Sequence, residues 1–178
     1  MEKEKNDFDS RKFSRVDVYL PLSYRLIPEA ERSYIHSEIF DRMSLNNSTS
    51  LPEITDPALH TCMCILNAKL DSILHLLTLR SKGFSSLPSR SVNISGAGLR
   101  LTTPEKFTVG DILEIKMFLS AQKYQALRLH GKIISIEEQP GGYQISLSFI
   151  QIDDAARDEI VKFVFERERE ILREKRGA

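Results

Sequence analysis

The amino-acid sequence predicts a mainly β fold: an antiparallel barrel with a C-terminal helix and an inserted helical segment. Three observations lead to this prediction. Residues 15–26 and 90–150 contain short segments in which apolar and polar side chains alternate, which is the period of a strand. Residues 57–80 and 154–171 repeat their apolar side chains every three or four positions, which is the period of a helix. Turn residues separate the strands, as they do in closed barrels.

Length and composition limit both the fold and the classes of function. A chain of 178 residues can bury one sizeable core, or a small domain with an accessory element. Lys and Arg together number 25, as do Asp and Glu, so no global charge attracts nucleic acid or an anionic membrane surface. We therefore expect no nucleic-acid partner, and an anionic ligand would need a local cluster of basic side chains.

The N-terminal residues and the apolar runs indicate a cytoplasmic protein. Residues 1–10 are charged and lack the apolar core of a signal peptide, so we expect a flexible tail there. No uninterrupted run of about eighteen apolar residues occurs, and we expect no stable membrane insertion. Cys62 and Cys64 would point to different sides of a helix, which makes an internal disulfide implausible and favours reduced thiols.

Each predicted strand is bounded by turn residues. The first covers residues 16–26 and contains Pro21, which indicates a kink or an edge position. The second and third form a hairpin at 91–101, and the others are expected at 111–119, 127–136 and 143–150. Asp153 and Asp154 then predict the cap of the final helix.

The segment between the first strand and the hairpin has helical character. Residues 28–42 have helical spacing after Pro28, 45–56 are a polar loop, and Asp56-Pro57 predicts the start of a second helix. That helix carries an a/d heptad pattern over nearly three heptads, formed by Leu59, Met63, Leu66, Leu70, Ile73 and Leu77.

These six side chains are candidate oligomerisation residues, because the helix has more apolar surface than one seam needs. Packing within the chain, for example as a helical hairpin with residues 28–43, is the alternative that the pattern leaves open.

Two short motifs provide candidate ligand-binding residues. Arg11 and Arg15 form an R-x-x-x-R pair directly before the first strand. The hairpin turn reads Asn93-Ile94-Ser95-Gly96-Ala97-Gly98, which supplies a carboxamide, a hydroxyl and two glycines that can hold positive φ or admit a ligand. By itself this hexapeptide indicates only a good hairpin turn.

An R-x-x-x-R pair followed by N-x-S-x-x-G on a later strand resembles the PilZ family, small β-barrels that bind the bacterial second messenger cyclic di-GMP. The resemblance covers residues 11–27 and 90 to about 165, including the acidic turn and helix after the last strand. It implies a discontinuous barrel domain at 11–27 and 89–165, a helical insertion at 28–88 and a charged helix end at 166–178. The insertion is similar to that of a PilZ subgroup that assembles tetramers.

The resemblance implies a cyclic di-GMP receptor with ligand contacts at Arg11, Arg15, Asn93, Ser95 and Gly98, to which Arg90 adds charge. Arginine suits this ligand because its planar guanidinium can bind a phosphate or the O6/N7 edge of guanine and can stack on the base. We expect a homo-oligomer, a dimer or tetramer, whose surface changes on ligand binding for a partner protein that the sequence does not identify. The alternative is a non-binding adaptor that oligomerises through the insertion.

Enzyme and metal sites have little support in the sequence. His60, Cys62 and Cys64 are spaced like a metal tract, but on a helix only His60 and Cys64 share a face, and two ligands do not form a closed zinc site. Common signatures of nucleotide hydrolysis, acyl transfer and zinc peptidases are absent from the sequence. We therefore expect no catalytic residue, no metal and no cofactor.

Overall fold

The computed structural model describes residues 13–40, 55–120 and 125–176, and the expected tail at 1–10 lies outside this part. The mainly β fold with added helices is confirmed. The helices are α1 (Pro57–Ser81), α2 (Asp154–Arg176) and a short 3₁₀ helix (Glu29–Tyr34). The strands are β1 (Arg15–Leu26), β2 (Glu38–Phe40), β3 (Ser89–Ser95), β4 (Gly98–Thr103), β5 (Ile112–Ser120), β6 (Gln125–Gln139) and β7 (Gly142–Ile150).

Six of these strands close into an antiparallel barrel. Their order is β6-β5-β1-β3-β4-β7, and β7 pairs again with β6 to complete the circle. β1 serves two neighbours: it pairs with β3 as far as Pro21 and with β5 from Leu22 onwards. Pro21 therefore lies where the strand changes partner, a position that tolerates the missing N–H group.

The barrel interior is apolar because alternate residues of each strand point inwards. Val16, Val18 and Leu20 of β1 are buried, whereas the residues between them are exposed. α2 packs on this core through Ala156, Ile160 and Val164. The predicted cap of α2 is confirmed, since Ala156 N donates to Asp153 Oδ1 at 2.6 Å.

The helix expected at residues 28–42 is not formed in the part that the structure describes, which ends at residue 40. A 3₁₀ helix and the strand β2 occupy this segment instead. β2 pairs with the first residues of β6, and the Glu38 carboxylate forms an ion pair with Arg128. Backbone pairing to the barrel therefore overrides the helical spacing, and no helical hairpin forms between residues 28–40 and α1.

α1 is attached to the barrel by its C-terminal end. The helix begins as predicted at Asp56, whose Oδ1 accepts from Ala58 N at 2.8 Å. His75 and Leu79 are its buried residues, and Leu79 packs with Phe84 and Ala126 in a second apolar cluster. Residues 55–70 are all exposed, so the helix projects from the barrel.

The exposed part of α1 is strongly apolar. Within the described residues, α1 is the helix that is long and apolar enough to cross a membrane by length and composition. It carries Lys69 and Asp71 near its middle, where charges would be costly in a bilayer. Most of its apolar surface is left uncovered by the rest of the described residues, and an exposed apolar patch of this size is typical of an interaction surface.

Gly98 allows β4 and β7 to approach each other closely. A Cβ atom at Gly98 would lie 2.1 Å from the carbonyl oxygen of Leu147. The contacted atom belongs to the backbone, so a side-chain rotation cannot relieve the overlap. The constraint is spatial, because the φ angle of Gly98 is not positive.

A cluster of charged and histidine side chains joins the segment after β1 to the barrel. Arg25 donates to Glu114 Oε1 and to Glu31 Oε2, each at 3.0 Å. Burial works to raise the pKa of Glu114, but its hydrogen bonds and charge pairing with Arg25 outweigh this, so the pKa lies below its ordinary value. His130 is 6% exposed, its Nδ1 has no hydrogen-bond partner among the described residues, and burial lowers its pKa.

Replacing Gly98 with Ala is expected to destabilise the protein by roughly 1–3 kcal/mol, because the backbones of β4 and β7 must move apart. Urea unfolding of Gly98→Ala measures this change in the free energy of unfolding. Thr102→Ala, at an exposed position of the same strand, is the control and should change it little. Wild-type stability of Gly98→Ala would contradict the close approach of the two strands.

Acidification is expected to destabilise the fold through His130. Because its pKa in the folded protein lies below the ordinary 6.5, the unfolded chain binds the proton more readily. The stabilising contribution is therefore complete above about pH 6.5 and is lost as the pH falls below it, by at most about 1.4 kcal/mol per pH unit.

Urea unfolding at about pH 7.5, 6.5 and 5.5 tests this pH dependence by comparing the wild type with His130→Gln. The wild type should lose stability more steeply, because the variant lacks the titrating ring. Parallel pH profiles would show that His130 is not responsible.

Candidate ligand-binding site

A cavity of about 470 Å³ lies on the outer face of the barrel where β1, β3, β4 and β7 are neighbours. This volume falls within the range of about 300–1,000 Å³ that is usual for small-molecule sites. Its lining comes from these four strands and consists of Asp17, Arg90, Ser91, Val92, Asn93, Arg100, Leu101, Thr102 and Gln144.

The register of the strands arranges polar side chains in rows across this face. Asp17 lies opposite Asn93, and Asn93 lies opposite Arg100. Outward side chains repeat every second residue along a strand, so a parallel row lies two positions away. That row consists of Arg15, Ser95, Gly98 and Ser148. The rows therefore place motif residues beside residues from outside both motifs, namely Asp17, Arg100 and Ser148.

Asn93 is held in a defined orientation by Asp17. Its Nδ2 donates to Asp17 Oδ1 at 2.8 Å. A carboxylate only accepts hydrogen bonds, so the amide nitrogen must face Asp17. The carboxamide oxygen of Asn93 consequently points away from Asp17.

Two arginines contribute positive charge to the cavity. The guanidinium of Arg90 lies over the ring of Tyr24, with Cζ 4.9 Å from the ring centroid, and its buried Nε has no hydrogen-bond partner within the described part of the chain. Arg100 donates from Nε to Ser146 Oγ at 3.3 Å. The described lining residues include these two cations and one carboxylate, Asp17, so the lining favours an anionic ligand.

Ser95 is engaged in the hairpin turn. It is 1% exposed, and its hydroxyl donates to Gly98 O at 3.4 Å and accepts from Ala97 N at 3.3 Å. Neither Ser95 nor Gly98 lines the cavity. Contact of either residue with a ligand stays a prediction.

Gly96 lies in close contact with two neighbouring side chains. A Cβ atom there would lie 2.7 Å from Val161 Cγ2 and 2.8 Å from Phe13 Cδ1. The sequence suggested that these glycines could hold positive φ angles or admit a ligand. The φ angles of Gly96 and Gly98 are not positive, so neither glycine is needed for its backbone conformation. Close contact with neighbouring groups accounts for both.

The predicted arginine pair is described only in part. Arg15 is exposed at the start of β1, opposite Ser95 and on the same face as Asp17. Arg11 lies outside the described residues. The structure thus brings Arg15, Asn93 and Arg90 to the strands that form the cavity, while their contacts with a ligand remain predictions.

Sequence reasoning missed Asp17, Arg100 and Gln144 as candidate residues. They lie on three different strands and become neighbours only through the register of the barrel. A weak signal was present, because Asp17 follows Arg15 by two positions and Arg100 follows Gly98 by two. Residues two positions apart on a strand share a face.

The cysteine-containing tract of α1 forms no metal cluster in the part of the chain that the structure describes. Cys62 and Cys64 are free and exposed, and Cys64 Sγ lies 3.9 Å from the ring nitrogens of His60. Two neighbouring donors do not complete a tetrahedral zinc site.

Comparison with known proteins identifies the fold. A search of curated proteins found no match. Among solved structures, the chain is similar to a pathogenic protein from Xanthomonas campestris, described as a new tetrameric PilZ domain self-assembled via an unusual helical bundle. The two are 20% identical, with a TM-score of 0.60 over 91% of this chain and 92% of that one. The family model for the PilZ domain matches residues 76–166, about half of the sequence. The chain therefore belongs to the PilZ domain family.

Proposed function

We propose that this protein is a cytoplasmic bacterial receptor that binds cyclic di-GMP in the cavity on the outer face of β1, β3, β4 and β7. The chain matches the PilZ family model over residues 76–166, and this family is known for binding cyclic di-GMP rather than for catalysis. The observation that carries the proposal is the row formed by Asp17, Asn93 and Arg100, beside which Arg15 lies on the same face.

The chemistry of the cavity suits the ligand. Cyclic di-GMP carries two phosphodiester charges and two guanine bases. Arg90 and Arg100 can each offer parallel N–H donors to a phosphate or to the O6/N7 edge of guanine, and Arg15 can do the same from the rim. The stacking of Arg90 on Tyr24 orients its guanidinium before a ligand arrives, which lowers the entropic cost of binding.

The response to the ligand would proceed through the segment that precedes β1. Phe13 lies between the two motif arginines in sequence, and its ring packs at Gly96 and 5.7 Å from the guanidinium of Arg157 on α2. Arg157 in turn donates to Gly96 O at 3.0 Å. Closure of Arg11 and Arg15 over the ligand would thus move a side chain that contacts both the hairpin turn and α2, and would change a surface read by a partner protein.

Self-association through α1 is the second part of the proposal. Nine of the fifteen exposed large hydrophobic side chains of the described residues lie on this helix, including Leu66, Leu70 and Leu77. At about 100° per residue these three point away from His75 and Leu79, which face the barrel. The heptad face is therefore presented to a second copy, and the similar Xanthomonas protein is described as self-assembling via a helical bundle.

A non-binding adaptor is the second candidate function. Two observations favour it: the Ser95 hydroxyl is engaged within the turn, and the Asp17 carboxylate occupies a cavity that would receive phosphates. In this case the protein would act through its oligomeric α1 bundle alone.

Replacing Arg15 with Ala is expected to weaken cyclic di-GMP binding by about 1–3 kcal/mol, because one bidentate contact is lost. Calorimetric titration at constant salt measures the change. Arg173→Ala, at the exposed end of α2, is the matched control, and GMP tests non-specific nucleotide binding. Unchanged affinity of Arg15→Ala would show that Arg15 does not contact the ligand. Absence of binding by the wild type would favour the non-binding adaptor function.

The double substitution Leu66→Gln and Leu70→Gln is expected to produce monomers, because it places polar groups in the centre of the heptad face. Light scattering measures the mass in solution. Ile134→Gln with Leu172→Gln changes two exposed apolar residues outside α1 and should leave the mass unaltered. An unchanged oligomeric mass in the Leu66→Gln, Leu70→Gln variant would refute the helical bundle. A wild-type protein that is monomeric in solution and co-sediments with lipid vesicles would also refute it.

A further inference from the structure

An acidic side chain lies in a cavity that otherwise favours anions. Asp17 is exposed on the outer face of β1 and lines the cavity together with Arg90 and Arg100. A carboxylate repels phosphate, so its presence must be balanced by an interaction with another part of the ligand if the ligand binds there.

Asp17 retains acceptor capacity beyond its contact with Asn93. The Nδ2 group of Asn93 uses Oδ1 of Asp17, whereas a carboxylate offers about four lone-pair sites. The same hydrogen bond turns the carboxamide oxygen of Asn93 away from Asp17. Asp17 is therefore held beside Asn93 on the outer face with acceptor sites that are left for a ligand.

The remaining acceptor sites of the Asp17 carboxylate match one edge of guanine. The Watson–Crick edge of guanine carries the N1–H and 2-amino donors side by side, and a carboxylate can accept both in parallel. Adenine presents an acceptor at N1 and has no 2-amino group, so it would leave the carboxylate without its partners. The arginines, which have only donors, suit the phosphates and the O6/N7 edge.

We propose that Asp17 is the specificity-determining residue of this site: it accepts hydrogen bonds from N1–H and the 2-amino group of one guanine and so selects guanine over other bases. This inference rests on the proposed function, because it assigns a base contact within the same cavity. Asp17 lies outside both sequence motifs and reaches the site through its cross-strand pairing with Asn93.

Asp17→Asn tests this role without removing the support of Asn93. The side-chain oxygen of asparagine can still accept from Asn93 Nδ2, while the second carboxylate oxygen is replaced by a donor that opposes the donors of guanine. Asp158→Asn, an exposed acidic position of α2, is the matched control. Circular dichroism and urea unfolding verify that both variants are folded.

Binding of cyclic di-GMP, cyclic di-inosine monophosphate and cyclic di-AMP is measured by calorimetry. Cyclic di-inosine monophosphate lacks the 2-amino group but keeps N1–H and both phosphates. The wild type should prefer cyclic di-GMP to this analogue by about tenfold or more, the usual effect of one hydrogen bond to a charged group. Asp17→Asn should lose most of this preference, whereas Asp158→Asn should keep it.

The outcomes separate the two proposals. If the wild type binds none of the three compounds, the receptor function fails, and the role of Asp17 fails with it. If the wild type binds cyclic di-GMP and Asp17→Asn keeps the same preference for guanine, only the role of Asp17 is overturned. Tighter binding of all three compounds by Asp17→Asn also overturns it, because the carboxylate would then act only by repelling the phosphates.

Discussion

The register of the barrel strands is the constraint on which the candidate site depends. Inward apolar residues such as Ile94 and Ile115 are fully buried, and a slip of one residue would turn every such side chain towards water. The core therefore fixes which outward residues become neighbours. Asp17, Asn93 and Arg100 meet on the outer face because Val16, Val92 and Leu101 are held on the inner one.

Close backbone packing supports this register at the hairpin turn. Gly98 brings β4 against the Leu147 carbonyl, and Gly96 leaves room for Phe13 and Val161. The Ser95 hydroxyl closes the turn itself. The motif thus has a structural part at Ser95, Gly96 and Gly98, while Asn93 presents polar atoms to the cavity.

Much of the fold follows from sequence periodicity. The alternation in β5 and β7, the caps at Asp56 and Asp153 and the apolar stripe of α1 are local signals, and each led to the correct element. β2 could not be predicted, because its three residues become a strand only by pairing with β6. The same limit applies to the site. The motif residues could be found from the sequence because they lie close together along the chain, whereas Asp17, Arg100 and Gln144 become neighbours only through the cross-strand register.

The insertion leaves and rejoins the barrel at one place. The ring of Phe40 at the end of β2 lies 5.2 Å from that of Phe84, which follows α1, and Phe84 lies 5.6 Å from Phe118 of β5. The chain between Phe40 and Phe84 is therefore a loop whose ends the barrel already holds together. The barrel therefore holds the ends of the insertion at fixed points whatever the length and apolar pattern of α1, and in the proposed self-association those two properties of the helix would determine the mode of assembly.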